Sequence, residues 1–408
     1  MRILIINHYA GSLQYGMEYR PYYFAREWIK MGHTVDIIAA DFSHLRTKNP
    51  IINKDFEIEQ IDGITYHWIK TGEYTGSGSK RAITMALFVS KLYLNAKKIA
   101  EELKPDIVIS SSTYPLDTYP AKRISKFSGA KLVHEIHDMW PLTLIEIGSM
   151  SRRHPFVVSM QIAENSFCKN SDKIISLLPN AKEYLMDHGM KSNAFRYIPN
   201  GVVEEDWEGS IEIPKEHDDT LSDLIAKGKF IVGYFGGHAI SNSLDVLLEV
   251  AKEIKTQEIH FVLVGKGMEK QNLEEWVLRN GITNVTFLPP VAKLSIPNLL
   301  KHFDCIYIGG KSHPLYRFGT AVNKLCDSMM SGKPIIYALA SPNNDVIDFK
   351  CGISVEPGNI NSIINAINTI YQMDVKSREV MGERGQEGVL RNYEYKILAK
   401  RYADILKN

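Results

Sequence analysis

The stretch "FIVGYFGGHAISNSLDVLLEVAKEI", Phe230 to Ile254, decides the fold. It opens as an apolar run of strand length, breaks at Gly236 and Gly237, and resumes with Leu244, Leu247, Leu248, Ala251 and Ile254 at helical spacing. A strand that passes through a glycine turn into an amphipathic helix is half of a parallel βα unit, because a crossover must carry the chain back over the sheet. Asn242 or Ser243 is the expected N-cap. Gly236 and Gly237 leave amides beside a helix start whose dipole supplies roughly half a positive charge. His238 is placed there to donate to a phosphate oxygen; a ligand-free histidine in a strand-to-helix turn is the competing reading. "HFVLVGKGMEKQNLEEW" (260–276) repeats the design with Lys266 between two glycines, where a solvated lysine is the alternative.

Outward from this unit, apolar runs alternate with helical patterns along the whole chain. Strands are expected near "RILIIN", "TVDIIAA", "ITYHWI", "DIVIS", "KLVHEI", "KIISL" and "FRYIP", then near "FIVGYFG", "HFVLVG", "VTFL", "CIYIG", "PIIYAL" and "GISVE". The pattern predicts an α/β protein of two doubly wound, Rossmann-like domains facing across a cleft. The boundaries are 1–203 and 204–390, with 391–408 a final helix returning to the first domain. The junction is set near "IPNGVVEEDW" and "GSIEIPKEHDDTLSD", where apolar periodicity lapses. Ligands of such sheets bind beyond the carboxyl ends of the strands. The unusual residues do come after strands: His137 and Asp138 after "KLVHEI", Gly236 to His238 after "FIVGYF", Gly265 to Gly267 after "HFVLV".

Composition narrows the classes. The 408 residues are 44% hydrophobic and 23% charged, values of a globular chain, and the net charge of +1 gives no global attraction to nucleic acid. Cys168, Cys305, Cys326 and Cys351 lack C-x-x-C spacing, so free thiols are expected rather than a metal site or disulfides. The start "MRILIINHYA" is too short an apolar run for a signal peptide, and no run approaches the ~18 residues of a membrane span. A cytoplasmic protein, in one reading peripheral on the membrane, is therefore expected. The stretch 79–104 has two readings. Lys80, Arg81, Lys91, Lys97, Lys98 and Lys104 beside Leu87, Phe88, Leu92, Tyr93 and Leu94 suit an anionic membrane, or else form the solvated face of a core helix.

Chemistry concentrates in "RFGTAVNKLCDSMMSGKPIIYA", Arg317 to Ala338. Val322, Leu325, Cys326 and Met329 form an apolar stripe, while Asn323, Lys324 and Asp327 gather on a side that reads as exposed. Such a helix suits a phosphate at its amino end and a sugar hydroxyl further along. No Asp-x-Asp stands in an apolar setting, so Arg317, Lys324, His238 and helix amino ends are expected to neutralise a diphosphate without a metal. In the first half, "NHYAGSLQYGMEYRP" carries Gly11 and Gly16 but lacks G-x-G-x-x-G; with Asp41 it reads either as a dinucleotide site or as a plain turn. In "HEIHDMWPLTLIEIG", His134 and His137 are three apart on a strand and face opposite sides. A hydrogen-bonding role for His137 therefore reads better than zinc, with Asp138 holding the imidazole or capping the segment after it.

With these motifs in order, the chain resembles the retaining family 4 glycosyltransferases of the GT-B fold, and more narrowly bacterial O-antigen and capsule enzymes related to N-acetylfucosaminyl transferases. The resemblance rests on "RPYYFAREWIKMGHTVDIIAA", "HEIHDMWPLTLIEIG", "IPNGV", "GYFGGHAISNSLDVLL", "VGKG", "NVTFLPPV", "RFGTAVNKLCDSMMSGKPII" and "CGISVEP". It implies metal-independent transfer, with retention, from a nucleotide diphosphate sugar. The implied donor is uridine-linked and an N-acetylated deoxyhexose is one candidate; the acceptor is a glycan or undecaprenyl-linked glycan at the inner membrane. No cofactor beyond the nucleotide sugar and no nucleic-acid partner is implied. By resemblance, Asp327 grips the ribose, Arg317, Asn323 and Lys324 lie near the diphosphate with Gly237, His238 and Lys266, and Gly16 lies over the pyrophosphate. His137 and Asp138 are the implied catalytic pair, and Glu18 and Arg20 the implied acceptor contacts. Gly319 stands where the wider family often has Glu. A nucleotide-sugar 2-epimerase on the same fold and a non-catalytic partner subunit of a glycosyltransferase are the other readings.

Overall fold

The computed structural model describes residues 1–74, 76 and 78–407. Contacts divide the chain into two compact units. Unit 1 comprises Met1–Asn200, Arg317–Ala321 and Tyr395–Asn408; unit 2 comprises Gly201–Tyr316 and Val322–Glu394.

Unit 1 holds β1 (Arg2–Ile6), β2 (Thr34–Ala40), β3 (Glu57–Ile61), β4 (Ile64–Ile69), β5 (Ile107–Ser110), β6 (Lys131–Ile136), β7 (Lys173–Ser176) and β8 (Phe195–Tyr197). Their order in the sheet is β3-β4-β2-β1-β5-β6-β7-β8, parallel except for the β3–β4 pair. The order reverses between β1 and β5, which makes the loops after those two strands the ligand crevice of this sheet. Unit 2 holds β9 (Phe230–Gly237), β10 (Ile259–Lys266), β11 (Val285–Leu288), β12 (Cys305–Gly309), β13 (Ile335–Ala338) and β14 (Gly352–Ser354). Their order is β11-β10-β9-β12-β13-β14, all parallel, with the reversal between β9 and β12. Both faces of this sheet are covered. Ile231 and Phe235 enter one apolar layer with Val262 and Ile306, while Phe230, Val232 and Tyr234 enter the opposite layer with Phe261 and Tyr307. Burial on both faces is why these strands read as continuous apolar runs.

The helix Tyr395–Lys407 packs on the helix Arg20–Lys30 within unit 1. Tyr395 lies against Tyr23 and Phe24, Tyr402 against Phe24 and Trp28, and the Trp28 indole donates to the Ala399 carbonyl at 3.0 Å. All four cysteines are buried free thiols.

Three local readings change. β3 is not among the expected strands, although "QIDGI" carries the hairpin signal: Asp62 and Gly63 both take positive φ, as a two-residue turn between antiparallel strands requires. The stretch expected to be a polar junction folds into the helices Glu204–Glu208 and Lys215–Ala226, and His217, Leu221 and Leu224 form a buried face at helical spacing. Arg317–Ala321 joins unit 1 although the residues on either side belong to unit 2.

Candidate functional site

In unit 2 the site is built at the ends of β9 and β10, beside the helix Asn323–Met330. Gly236 has φ +128°, and a Cβ on Gly265 would lie 1.9 Å from the Gly236 carbonyl oxygen, so the two strand ends can meet only as glycines. Lys324 reaches over this point. Its ammonium donates to the Tyr234 hydroxyl at 2.8 Å and to Asn242 Oδ1 at 3.1 Å, and lies 4.3 Å from the Tyr234 ring centre. Among the described residues no carboxylate pairs with it. Burial uncompensated by any negative charge lowers its pKa to about 7. Space around a Cβ on Gly237 is open.

Asp327, on the same helix, is buried, and both its oxygens accept from Lys293 Nζ at 2.7 Å. The polar side expected to be exposed is thus exposed only at Asn323; Lys324 is half-buried. His238 is fully buried with neither ring nitrogen hydrogen-bonded, and burial, then Lys270 and Lys324, lower it to about 4. It stands as a neutral imidazole rather than a cation facing solvent. Lys266 is exposed, its carbonyl accepting from the His238 amide at 2.8 Å. Of the two expected N-caps Ser243 occupies the position, at φ +48° and without a side-chain capping bond, while Asn242 joins Lys324 to the Gly237 carbonyl.

In unit 1 the corresponding residues come after β1, β5 and β6. Arg20 is buried, and all five of its N–H donors are engaged, by Glu135 Oε1, Asn200 Oδ1 and the carbonyls of Ile198 and Pro199. Nothing is left for an acceptor, which corrects the assignment of Arg20 as an acceptor contact; it holds Glu135. Burial alone would raise the Glu135 pKa, but Arg20 and the neighbouring His137 hold it well below the usual carboxylate range. Glu135 Oε2 accepts from Ser111 Oγ at 2.7 Å and lies 3.4 Å from His137 Nε2; Ser111 Oγ lies 2.9 Å from that same nitrogen. Asp138 does not hold the imidazole: its Oδ1 accepts from the Met139 amide and the Thr143 hydroxyl, both at 2.8 Å, so it caps the next turn. His134 bonds Ser110 and stacks on Phe167, away from Ser111, and burial lowers it to about 3.

A shallow recess opens here, lined by Ser112, Tyr114, His137, Trp140, Glu164 and Phe167 among others. Burial raises both Asp117 and Glu164 to about 7. Glu18 is half-buried in the loop after β1, and Gly16 holds φ +100° with a Cβ position 2.8 Å from the Thr47 amide, so the loop itself requires this glycine. Asp41 Oδ1 accepts from the Thr71 amide and hydroxyl, a structural role that favours the plain-turn reading over the dinucleotide one. Arg317 does not accompany Lys324: it lies in unit 1, paired in bidentate fashion with Glu146 at 2.9 and 3.0 Å.

The residues that sequence reading missed are Tyr234, Lys293, Glu135, Ser111 and Asp117. Only Glu135 carried a signal, as an acid inside the strand pattern "KLVHEI", where an unpaired charge is not tolerated.

Residues 15–206 match the Glycosyltransferase Family 4 description, and residues 218–388 match Glycosyl transferases group 1. WcaI of Escherichia coli K12, named for colanic acid biosynthesis, is 23% identical over 210 residues, 50% of this chain and 50% of WcaI; the match spans about half of that relative's length. An uncharacterized glycosyltransferase of Methanocaldococcus jannaschii is 23% identical over 293 residues, 67% of this chain and 75% of that protein. Among solved structures, Anabaena HepE in complex with UDP and glucose shares the fold with a TM-score of 0.68 at 15% identity over the full length of both chains. With two doubly wound sheets and the two family matches succeeding one another along the chain, this protein belongs to the GT-B glycosyltransferases, a Family 4 domain leading into a group 1 domain.

Proposed function

We propose that this chain transfers a sugar, with retention and without a bound metal, from a uridine diphosphate donor to a lipid-linked glycan in surface polysaccharide synthesis. The observation that carries the reading is Lys324, a half-buried lysine whose amine has neutral partners only, at the β9–β12 crevice. A dianionic diphosphate supplies the missing countercharge there, aided by the Gly237 amide and the start of the helix Asn323–Met330. Charge develops on the leaving phosphate in the transition state, and a preset cation with little water around it stabilises that charge more than it stabilises the ground state. A leaving phosphate oxygen takes the acceptor proton on the face where the new bond forms, which gives retention. Asp327, fixed by Lys293, receives the ribose hydroxyls on its remaining lone pairs. The UDP and glucose bound to HepE and the colanic acid naming of WcaI support the choice of donor and pathway class.

Calorimetry with chelator present tests this reading. UDP is expected to bind, and Asp327→Ala to weaken UDP roughly 10- to 100-fold while leaving pyrophosphate unaffected, since only the ribose contact is lost. UDP binding that requires a divalent ion, or equal losses for both ligands, contradicts it.

The helix Ser79–Leu94 supports the lipid-linked acceptor. Phe88 and Leu92 turn into the core, as the core-helix reading expects, while Ile83, Leu87 and Leu94 stay exposed at 57%, 40% and 78%. Lys80 is exposed at the start of this helix, and Lys97 and Lys98 are exposed on the next helix, Ala96–Leu103, 3.7 and 3.8 Å from Glu101 and Glu102. No helix of the described residues is long and apolar enough to cross a membrane. An exposed apolar stripe with a lysine at its start suits shallow insertion into an anionic surface. The chain is expected to float with phosphatidylglycerol vesicles and not with phosphatidylcholine ones, and Leu87→Glu with Leu94→Glu to abolish flotation; equal flotation of wild type and variant sinks the assignment.

A further inference from the structure

The hydrogens around Ser111 fix the state of His137. A serine hydroxyl has one hydrogen. Ser111 Oγ is 2.7 Å from Glu135 Oε2 and 2.9 Å from His137 Nε2, and it can donate to only one of them. Glu135 is a buried carboxylate held ionised by Arg20, so it takes the serine hydrogen as a charge-assisted bond. Ser111 Oγ must then accept from His137, which requires a hydrogen on Nε2. The same hydrogen faces Glu135 Oε2 at 3.4 Å; a bare Nε2 lone pair would instead face both a carboxylate oxygen and the serine lone pairs.

The other ring nitrogen is thereby left without a hydrogen in the neutral ring. His137 Nδ1 makes no protein hydrogen bond among the described residues and is not one of their buried, unpartnered atoms, so it borders the recess after β6. We infer that Arg20, Glu135 and Ser111 are positioning residues that lock His137 in its Nε2–H tautomer, presenting the Nδ1 lone pair to the recess as an acceptor for a sugar hydroxyl. The inference rests on the transferase reading for the identity of that hydroxyl, but not for the tautomer. The direction is informative. A histidine in the opposite tautomer would offer the recess a donor, suited to a carbonyl or phosphate oxygen; this one selects an O–H group and aligns it by its hydrogen.

The test uses the full chain labelled with ¹⁵N-histidine at pH 8. The His137 signal is assigned by its loss in His137→Asn. Wild type is expected to show a protonated, pyrrole-type Nε2 and an unprotonated, pyridine-type Nδ1. Ser111→Ala, which removes one small hydroxyl and leaves the Arg20–Glu135 pair intact, is expected to mix the tautomers and lower kcat roughly tenfold, with UDP affinity unchanged within twofold. A wild-type Nδ1–H tautomer overturns the inference, as does a folded Ser111→Ala with unchanged tautomer and kcat. Should Ser111→Ala fail to fold, the wild-type spectrum alone decides. Failure of UDP to bind would overturn the transferase reading and leave the tautomer result standing.

Discussion

Lys324→Met is expected to weaken UDP binding by one to two orders of magnitude, roughly 10- to 150-fold, and at the same time to stabilise the protein. The ammonium sits on neutral partners, Tyr234 and Asn242, and burial alone brings its pKa to about 7. A charge-assisted contact to phosphate is worth about 1.5–3 kcal/mol, so its loss weakens UDP roughly 10- to 150-fold. Methionine keeps the length of the side chain without the charge. Relief of the desolvated ammonium, less the two lost hydrogen bonds, is expected to add on the order of 1–3 kcal/mol and to raise Tm by a few degrees. The pH dependence has a definite sign. A lysine with a lowered folded pKa binds fewer protons folded than unfolded between about pH 7 and its ordinary value of 10.5, so wild-type stability rises through that window. The variant lacks this rise, and its advantage is greatest near pH 7 and fades above pH 10. Paired thermal melts and UDP titrations across that range check both halves; a variant that loses binding and stability together would make Lys324 a structural residue.

Arg20→Met is expected to be the most damaging single change in unit 1. It leaves the Glu135 carboxylate buried with Ser111 and His137 only, and breaking a buried pair from one side costs about 3–5 kcal/mol. In the wild type Glu135 lies below the usual carboxylate range, so its contribution is present above the unfolded value of 4.5 and is lost as pH falls through the folded value. Without Arg20, burial dominates and the carboxyl is pushed upward, so the penalty is greatest at neutral pH and shrinks as acid protonates Glu135. Urea unfolding at pH 7 and pH 5 should show the difference between wild type and variant narrowing at the lower pH. A constant difference would mean that Arg20 acts by packing against Phe24, over which its guanidinium lies at 4.7 Å.

Most of the fold was legible because its strands are buried on both faces and its turns carry glycine, so period and punctuation agree. β3 escaped because it is an edge strand with the mixed pattern Glu57–Ile61, and only Asp62-Gly63 announced it. At the site, Lys324 and Asp327 were visible as polar residues off an apolar helical stripe. Their partners were concealed: Tyr234 is 90 residues from Lys324, Lys293 is 34 from Asp327, and Arg20 is 115 from Glu135. Pairings of that range depend on which strands become neighbours, and local spacing carries no trace of them. Arg317 misled for the converse reason. Seven positions before Lys324, it looks like part of one cationic group, yet the chain crosses between units there and gives it to Glu146.

Among the described residues Lys324 lacks a negative partner, and a bound diphosphate supplies it. At pH 8 a lysine with a pKa of about 7 is about nine-tenths neutral, and a bound diphosphate restores its proton. Calorimetric titration of UDP at pH 8 in two buffers of different ionisation enthalpy measures that proton directly. Uptake of close to one proton per UDP is expected in the wild type, falling towards zero at pH 6 and absent in whatever binding Lys324→Met retains. UDP binding at pH 8 with no proton uptake, or with the same uptake in the variant, would contradict this expectation.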